Sequence, residues 1–260
     1  MSSTEFRKLA EEPVSTVLKR KALHVSLSLA LLIPLTPWFI EGGSNLGLDP
    51  KQVPLITYAV LSLGAALFNS LQIRVPHYKE KFASIAREVR KRVLGYVKQL
   101  APQSESFAKQ VEEVDKVLDR MEVSLTKFVS EVEREYEKKF GYIAITFALL
   151  SVTLSYAIFG TYVAYGILAL ALVDSVSAII TKVLPKPKLF KHSVWSVAIT
   201  FTTFTIVLII GGLDPIRSAI ISLAAVFAEN LGIEDNLTLP IVTTAVAYAL
   251  KAPMPVPSLG

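Results

Sequence analysis

Apolar residues in this chain gather in long runs rather than at helical or strand spacing, at roughly 22–40, 53–72, 141–159, 162–183, 194–211, 214–229 and 237–251. Most approach the ~20 residues that cross a bilayer as a helix. The last two are shorter, which suits a tilted, re-entrant or bundle-enclosed helix. The pattern predicts an all-α fold, a polytopic membrane helical bundle of about seven spans. The stretch 73–139 breaks the pattern. From Val111 its apolar positions are Val114, Leu118, Met121, Leu125, Phe128 and Val132, the three-four spacing of a coiled-coil seam. Before it, Tyr78, Phe82, Ile85, Val89, Val93, Tyr96 and Leu100 repeat more loosely, and Ala101-Pro102-Gln103-Ser104 interrupts the two. Together they predict a cytosolic antiparallel coiled-coil hairpin inserted after the second span. The chain therefore divides into 1–72 (N-terminal segment and two spans), 73–139 (hairpin), 140–251 (a five-span core) and 252–260 (a disordered tail).

Composition agrees with a membrane protein: 52% of residues are hydrophobic and the mean hydropathy is +0.49. Lys and Arg number five before the first span, one in 41–52, fifteen in 73–139 and four from Lys182 to Lys191. Alternate connections are basic, so the N-terminus, the hairpin, the 184–193 loop and the 230–236 loop are expected in the cytosol, with the tail outside. No signal-peptide pattern precedes the first span, which is read as retained. The small size suggests a prokaryotic plasma membrane. Charge also divides the hairpin: 73–100 holds eight basic residues and two acids, 101–139 seven and ten. The net charge of +5 follows from the cytosolic loops and their attraction to anionic lipid in the bilayer; nothing points to nucleic acid. The absence of cysteine excludes disulfides, thiolate nucleophiles and Cys-bound metal. His24, His77 and His192 form no metal-binding pair spacing.

Candidate chemistry starts at the boundary of the last two runs. Ala228-Glu229-Asn230-Leu231-Gly232-Ile233-Glu234-Asp235-Asn236 gathers three carboxylates and two carboxamides with no Lys or Arg beside them. Such a patch on the cytosolic side points to a metal ion and a phosphorylated ligand. Asp174 lies about 20 Å along its span at about 1.5 Å per residue. An isolated carboxylate at the centre of a spanning helix costs about 2.5–3.5 kcal/mol, so it is expected to have a function or a buried partner. His24 follows Lys19-Arg20-Lys21 by one turn, and the neighbouring Ser175 and Ser177 suit helix packing. The predicted topology brings His24, Asp174, Lys191, Glu229, Asp235 and Asn236 to the cytosolic ends of their helices.

These residues resemble the dolichol kinase, phytol kinase and CTP-dependent diacylglycerol kinase family over 19–40 and about 140–250. The strongest match is Glu229 with Glu234-Asp235-Asn236-Leu237-Thr238-Leu239-Pro240; Arg20-Lys21-Ala22-Leu23-His24 is shorter. Asp174 falls where the family has G-D-x-x-A-S. Lys191-His192-Ser193-Val194-Trp195-Ser196 falls where it has K-S-x-E-G-S, with Val194 and Trp195 in place of Glu and Gly. The resemblance implies transfer of the γ-phosphoryl group of CTP to a membrane-embedded isoprenoid alcohol such as a polyprenol. It implies Mg2+ held by Asp174, Asp235 and Glu229, and phosphate contacts from Lys191, Lys188, Ser193, Ser196, Asn236, Arg20 and Lys21. His24 would orient the acceptor hydroxyl. No glycine-rich phosphate loop is present, which argues against a P-loop kinase. Two other readings stand beside this one: a cytidylyltransferase sharing the metal site, and a catalytically silent relative whose hairpin scaffolds other membrane proteins; the heptad seam itself can pair between chains as easily as within one.

Overall fold

The computed structural model describes residues 13–74, 78–100, 105–132, 137, 141–232 and 234–253. The 101–104 break and the tail from 254 lie outside these residues, as do the side chains of Tyr78, Phe82, Leu100, Leu125 and Val132. In chain order the elements are α1 (Val14–Ala30), a 3-10 turn (Ile33–Leu35), α2 (Pro37–Asn45), α3 (Gln52–Arg74), α4 (Tyr78–Leu100) and α5 (Glu105–Val132). There follow α6 (Ile143–Phe159), a 3-10 turn (Gly160–Tyr162), α7 (Val163–Val183), β1 (Lys188–Leu189), β2 (His192–Ser193), α8 (Val194–Ile210), α9 (Pro215–Leu231) and α10 (Asp235–Ala249). The described chain is thus all-α apart from one two-stranded ribbon. It forms two compact units, Met1–Ala66 with Tyr142–Gly260, and Leu67–Gly141.

Two stretches are long and apolar enough to cross a membrane, Gln52–Arg74 and Ile143–Val183; the pair Val14–Leu35 and Pro37–Asn45, bent by 55°, makes a third if it is one span. Helix α8 is apolar but only 17 residues long, and α9 and α10 have 17 and 15. Length and composition alone therefore give two or three crossings where the apolar runs predict about seven. Part of the difference is a fold-back inside Ile143–Val183. Ser151 of α6 donates to the Asn236 carbonyl at 3.0 Å, and Asp174 of α7 lies beside Asp235. The far end of α10 meets the turn instead, with the Tyr248 ring tilted against Phe159 and edge-to-face with Tyr162. A straight helix would hold Ser151 and Asp174 about 35 Å apart, so α6 and α7 must lie side by side with α10 against both.

Helix α7 is the axis of the first unit. One buried cluster joins its Tyr165, Ala169 and Val173 to Phe204 and Leu208 of α8, Ile221 and Ala225 of α9, and Leu239 and Ala247 of α10. A second joins its Val163, Ala164 and Ile167 to Leu35, Tyr58, Val152 and Tyr156. Gly166 sets the approach of α10, because a Cβ there would stand 2.5 Å from the Pro240 carbonyl oxygen. Small polar side chains are buried among these apolar clusters, and large apolar ones face outward. Ser151, Ser155, Ser196, Thr200, Ser218, Ser222, Thr243 and Thr244 are at most 2% exposed, while Leu63, Ile158, Ile210, Ile216 and Phe227 are more than half exposed. Small polar residues between helices and large apolar ones outward suit a lipid environment. The chain after α10 departs from the expected disordered tail at its start: Ala252 is buried and the Pro253 carbonyl accepts the Tyr165 hydroxyl.

In the second unit, α4 and α5 are joined by charge. The Arg87 and Arg90 guanidiniums pair with Glu122 at 2.8 and 3.3 Å, Arg90 pairs with Asp115 at 3.0 Å, and Asp119 also holds Arg90. Of the seam positions, Val111 is buried, but Val114 and Met121 are half exposed.

Candidate functional site: a carboxylate cluster with two lysines

Five parts of the first unit converge on one polar cluster. Asp174 comes from the middle of α7, Glu229 from the last turns of α9 and Asp235 from the first turn of α10. The close return from α9 to α10 depends on Gly232, where a Cβ would meet the Ala228 carbonyl at 2.6 Å and the Thr238 hydroxyl. Lys21 and His24 arrive from α1, one turn apart on the face that packs on α7. Lys191 sits at the tip of the β1–β2 ribbon. The register Lys188↔Ser193 and Leu189↔His192 leaves Phe190 and Lys191 as a two-residue turn, with Phe190 at φ 55°.

One carboxylate oxygen from each of the three acids lies within 4.8 Å of the others. The Lys21 ammonium is 2.7 Å from both oxygens of Asp174, with both side chains about one-tenth exposed. His24 Nε2 is 3.0 Å from Asp174 Oδ2 and 3.0 Å from the Leu170 carbonyl. A carbonyl only accepts, so Nε2 carries the hydrogen. Glu229 is 1% exposed, and its Oε1 lies 3.0 Å from His192 Nε2, 3.3 Å from the Ser177 hydroxyl and 3.6 Å from the Lys191 ammonium. Among the described residues its Oε2 is buried without a hydrogen-bond partner. Asp235 binds the Lys191 ammonium through Oδ2, and its Oδ1 accepts from the Asn236 backbone and side chain at 2.9 and 3.3 Å. Burial works against the charge on Lys191, but the carboxylates of Glu229 and Asp235 outweigh it and hold its proton more tightly than in a free lysine. Three carboxylates against two ammoniums leave one negative charge before the histidines are counted.

The donor set suits a hard divalent cation. A Mg2+ ion holds oxygens at about 2.0–2.1 Å, so opposite ligands stand about 4.2 Å apart. Of three octahedral ligands at most one pair is opposite and adjacent ones stand about 2.9 Å apart, so oxygens that lie within 4.8 Å of one another must draw closer to bind the ion. The unpartnered Glu229 Oε2 provides a free ligand atom. Asp174 differs, since Lys21 occupies both of its oxygens.

The other expected phosphate ligands are placed differently. Ser193 caps α8, its oxygen accepting from the Ser196 backbone at 3.1 Å, and the Ser196 hydroxyl donates to the Ser177 carbonyl at 2.8 Å; both are fully buried. Lys188 is exposed on β1, and Arg20 is half-buried on α1 beside Lys21. The acid-rich 228–236 stretch has no basic neighbour in sequence, yet it does not lack basic partners. Lys191 and His192 come to it across the fold, and Lys21 and His24 come to Asp174. Sequence reasoning missed three members: His192, Ser177 and Thr181. The Ser193 backbone N–H donates to the Thr181 hydroxyl at 3.4 Å, and that hydroxyl stands 2.9 Å from His192 Nδ1, a relay that orients the ring on Glu229. The adjacency of His192 to Lys191 was the only signal for it. Comparison of the chain with protein-family models, with curated proteins and with solved structures gives no match in any of the three.

Proposed function

We propose that the chain is a multi-pass membrane lipid kinase. It transfers the γ-phosphoryl group of CTP to the hydroxyl of a polyprenol or related isoprenoid alcohol on the cytosolic side of the membrane. The observation that supports this best is the meeting of Asp174, Glu229 and Asp235, one of their oxygens unpartnered, with Lys21 and Lys191 in a single cluster. Phosphoryl transfer needs carboxylates for a divalent ion, cations for the moving charge and a group to take the alcohol proton. Bound Mg2+ would screen the phosphate oxygens and hold them in line. Asp235, Glu229 and Asp174 are its ligands in this reading, with Asn236 beside them. Lys191, whose side chain is 41% exposed, meets the phosphates, and Lys21 supplies the second positive charge. Lys188, Arg20, Ser193 and Ser196 flank these groups. The alcohol oxygen bonds to the γ-phosphorus as the bond to the β–γ bridging oxygen breaks and CDP leaves. His24, with its hydrogen on Nε2, has the lone pair of Nδ1 to accept the hydroxyl proton.

In this account all seven apolar runs cross or enter the bilayer, which the outward apolar side chains of the first unit support. The 73–139 segment is its cytosolic coiled-coil hairpin. One observation favours a second reading: Lys21 already satisfies both oxygens of Asp174, as in a purely structural charge network within a catalytically silent scaffold. Incubation of the purified protein with γ-labelled CTP, magnesium and a panel of prenols and diacylglycerol separates the two. Labelled prenyl phosphate, lost on Asp235→Asn, supports the kinase; CTP turnover with cytidylyl transfer, or no turnover at all, rejects it.

A further inference from the structure

The second unit carries an apolar face that nothing in the described chain covers. On α4, Ile85, Val89, Val93 and Tyr96 are 58, 55, 52 and 69% exposed. On α5, Val114, Val117 and Met121 are 50, 51 and 54% exposed. At about 100° per residue each set occupies an arc of about 80° or less on its helix, well away from the charged stripe. The charged stripes point elsewhere, Arg87 and Arg90 toward Asp115, Asp119 and Glu122. Arg87 meets Glu122 while Arg90 reaches back to Asp115, so the helices run antiparallel. With the directions reversed and the charged edges facing, both apolar stripes emerge on the same side of the pair.

We propose that this face pairs with the same face of a second copy of the chain, α4 of each copy lying over α5 of the other. The three-four spacing from Val111 to Phe128 is that of a helix packed along a seam, yet Val114 and Met121 of that seam are half exposed in a single chain. Charge selects the partner. With eight basic residues against two acids in 73–100, and seven against ten in 101–139, a second copy offers the opposite sign only when α4 lies over α5. A two-fold axis along the helices produces that arrangement and makes a four-helix bundle. The register of Arg87 with Glu122 then sets Val89 of one copy opposite Met121 of the other.

The chain contains no cysteine, so introduced ones report cleanly. Two differently tagged full-length copies, one Val89→Cys and one Met121→Cys, are co-expressed, reconstituted in nanodiscs and oxidised. The expected result is a mixed disulfide dimer at least five times more abundant than either like pair. Val89→Glu with Met121→Glu in a third chain should give monomers by mass photometry with unchanged helix content. A wild-type monomer, like pairs as abundant as the mixed pair, or introduced cysteines that crosslink only to a different protein would overturn the proposal. None of these outcomes depends on phosphoryl transfer.

Discussion

Replacing Lys21 by Met tests whether the cluster is held by charge or by packing. The side chain keeps its apolar length, but Asp174 loses the ammonium that sits 2.7 Å from both of its oxygens at about one-tenth exposure. Breaking a buried pair by removing one partner costs about 3–5 kcal/mol, because the other charge stays buried. His24 remains 3.0 Å from Oδ2 and softens the loss, which places the expectation near 3 kcal/mol by that range. At about 2–4 °C per kcal/mol, the unfolding midpoint in detergent should fall by about 6–12 °C. The decisive comparison is Lys21→Met in an Asp174→Asn background, where the replacement strands no carboxylate. There the same replacement should lower the midpoint by no more than about 3 °C, leaving a coupling of about 2 kcal/mol, within the range for contacting pairs. An equal drop in both backgrounds would refute the reasoning, since it would mean that Lys21 contributes through its methylene stem alone.

Gly166→Leu should destabilise the first unit by about 1–3 kcal/mol, because the side chain meets the Pro240 carbonyl, whereas Gly64→Ala, open for 4 Å around, should be neutral or slightly stabilising; thermal unfolding of the two variants checks this. Lys191 has a raised affinity for its proton, so its stabilising charge is complete below the ordinary lysine pKa of 10.5 and is lost as pH rises through the higher folded value. Lys191→Met should therefore flatten the alkaline limb of the stability–pH curve and leave the acid limb in place. Glu229→Gln should weaken Mn2+ binding about 10-fold or more while His192 and Ser177 still hold the side chain, which isothermal calorimetry with far-UV circular dichroism can separate.

What the sequence made legible follows from how each signal is encoded. Runs of apolar residues locate α3, α6, α7 and α8 well, because membrane burial is written in consecutive positions. The 3-10 turn at Ile33–Leu35 interrupts the 22–40 run without changing its polarity, so hydropathy does not register it, whereas the turn at Gly160–Tyr162 falls at the boundary between the 141–159 and 162–183 runs. Asp174 and the Glu229–Asp235 pair stood out because carboxylates are rare in such surroundings. Their partners did not. Lys191 and His192 reach Glu229 through the turn at Phe190, and Lys21 meets Asp174 from 153 residues away, contacts that no local pattern encodes. The seam on α5 was read from spacing alone, which reports an apolar stripe but not what covers it; within one chain α4 faces the acids beside that stripe.

The most direct test of the central claim is electron–nuclear double resonance on Mn2+ bound to the nanodisc-embedded protein with CTP. The account predicts phosphorus coupling from the nucleotide in the wild type, lost in both Glu229→Gln and Asp235→Asn while the fold is retained. Manganese that binds CTP with the same phosphorus coupling in both variants would contradict it, and the three carboxylates would then be a structural charge network alone.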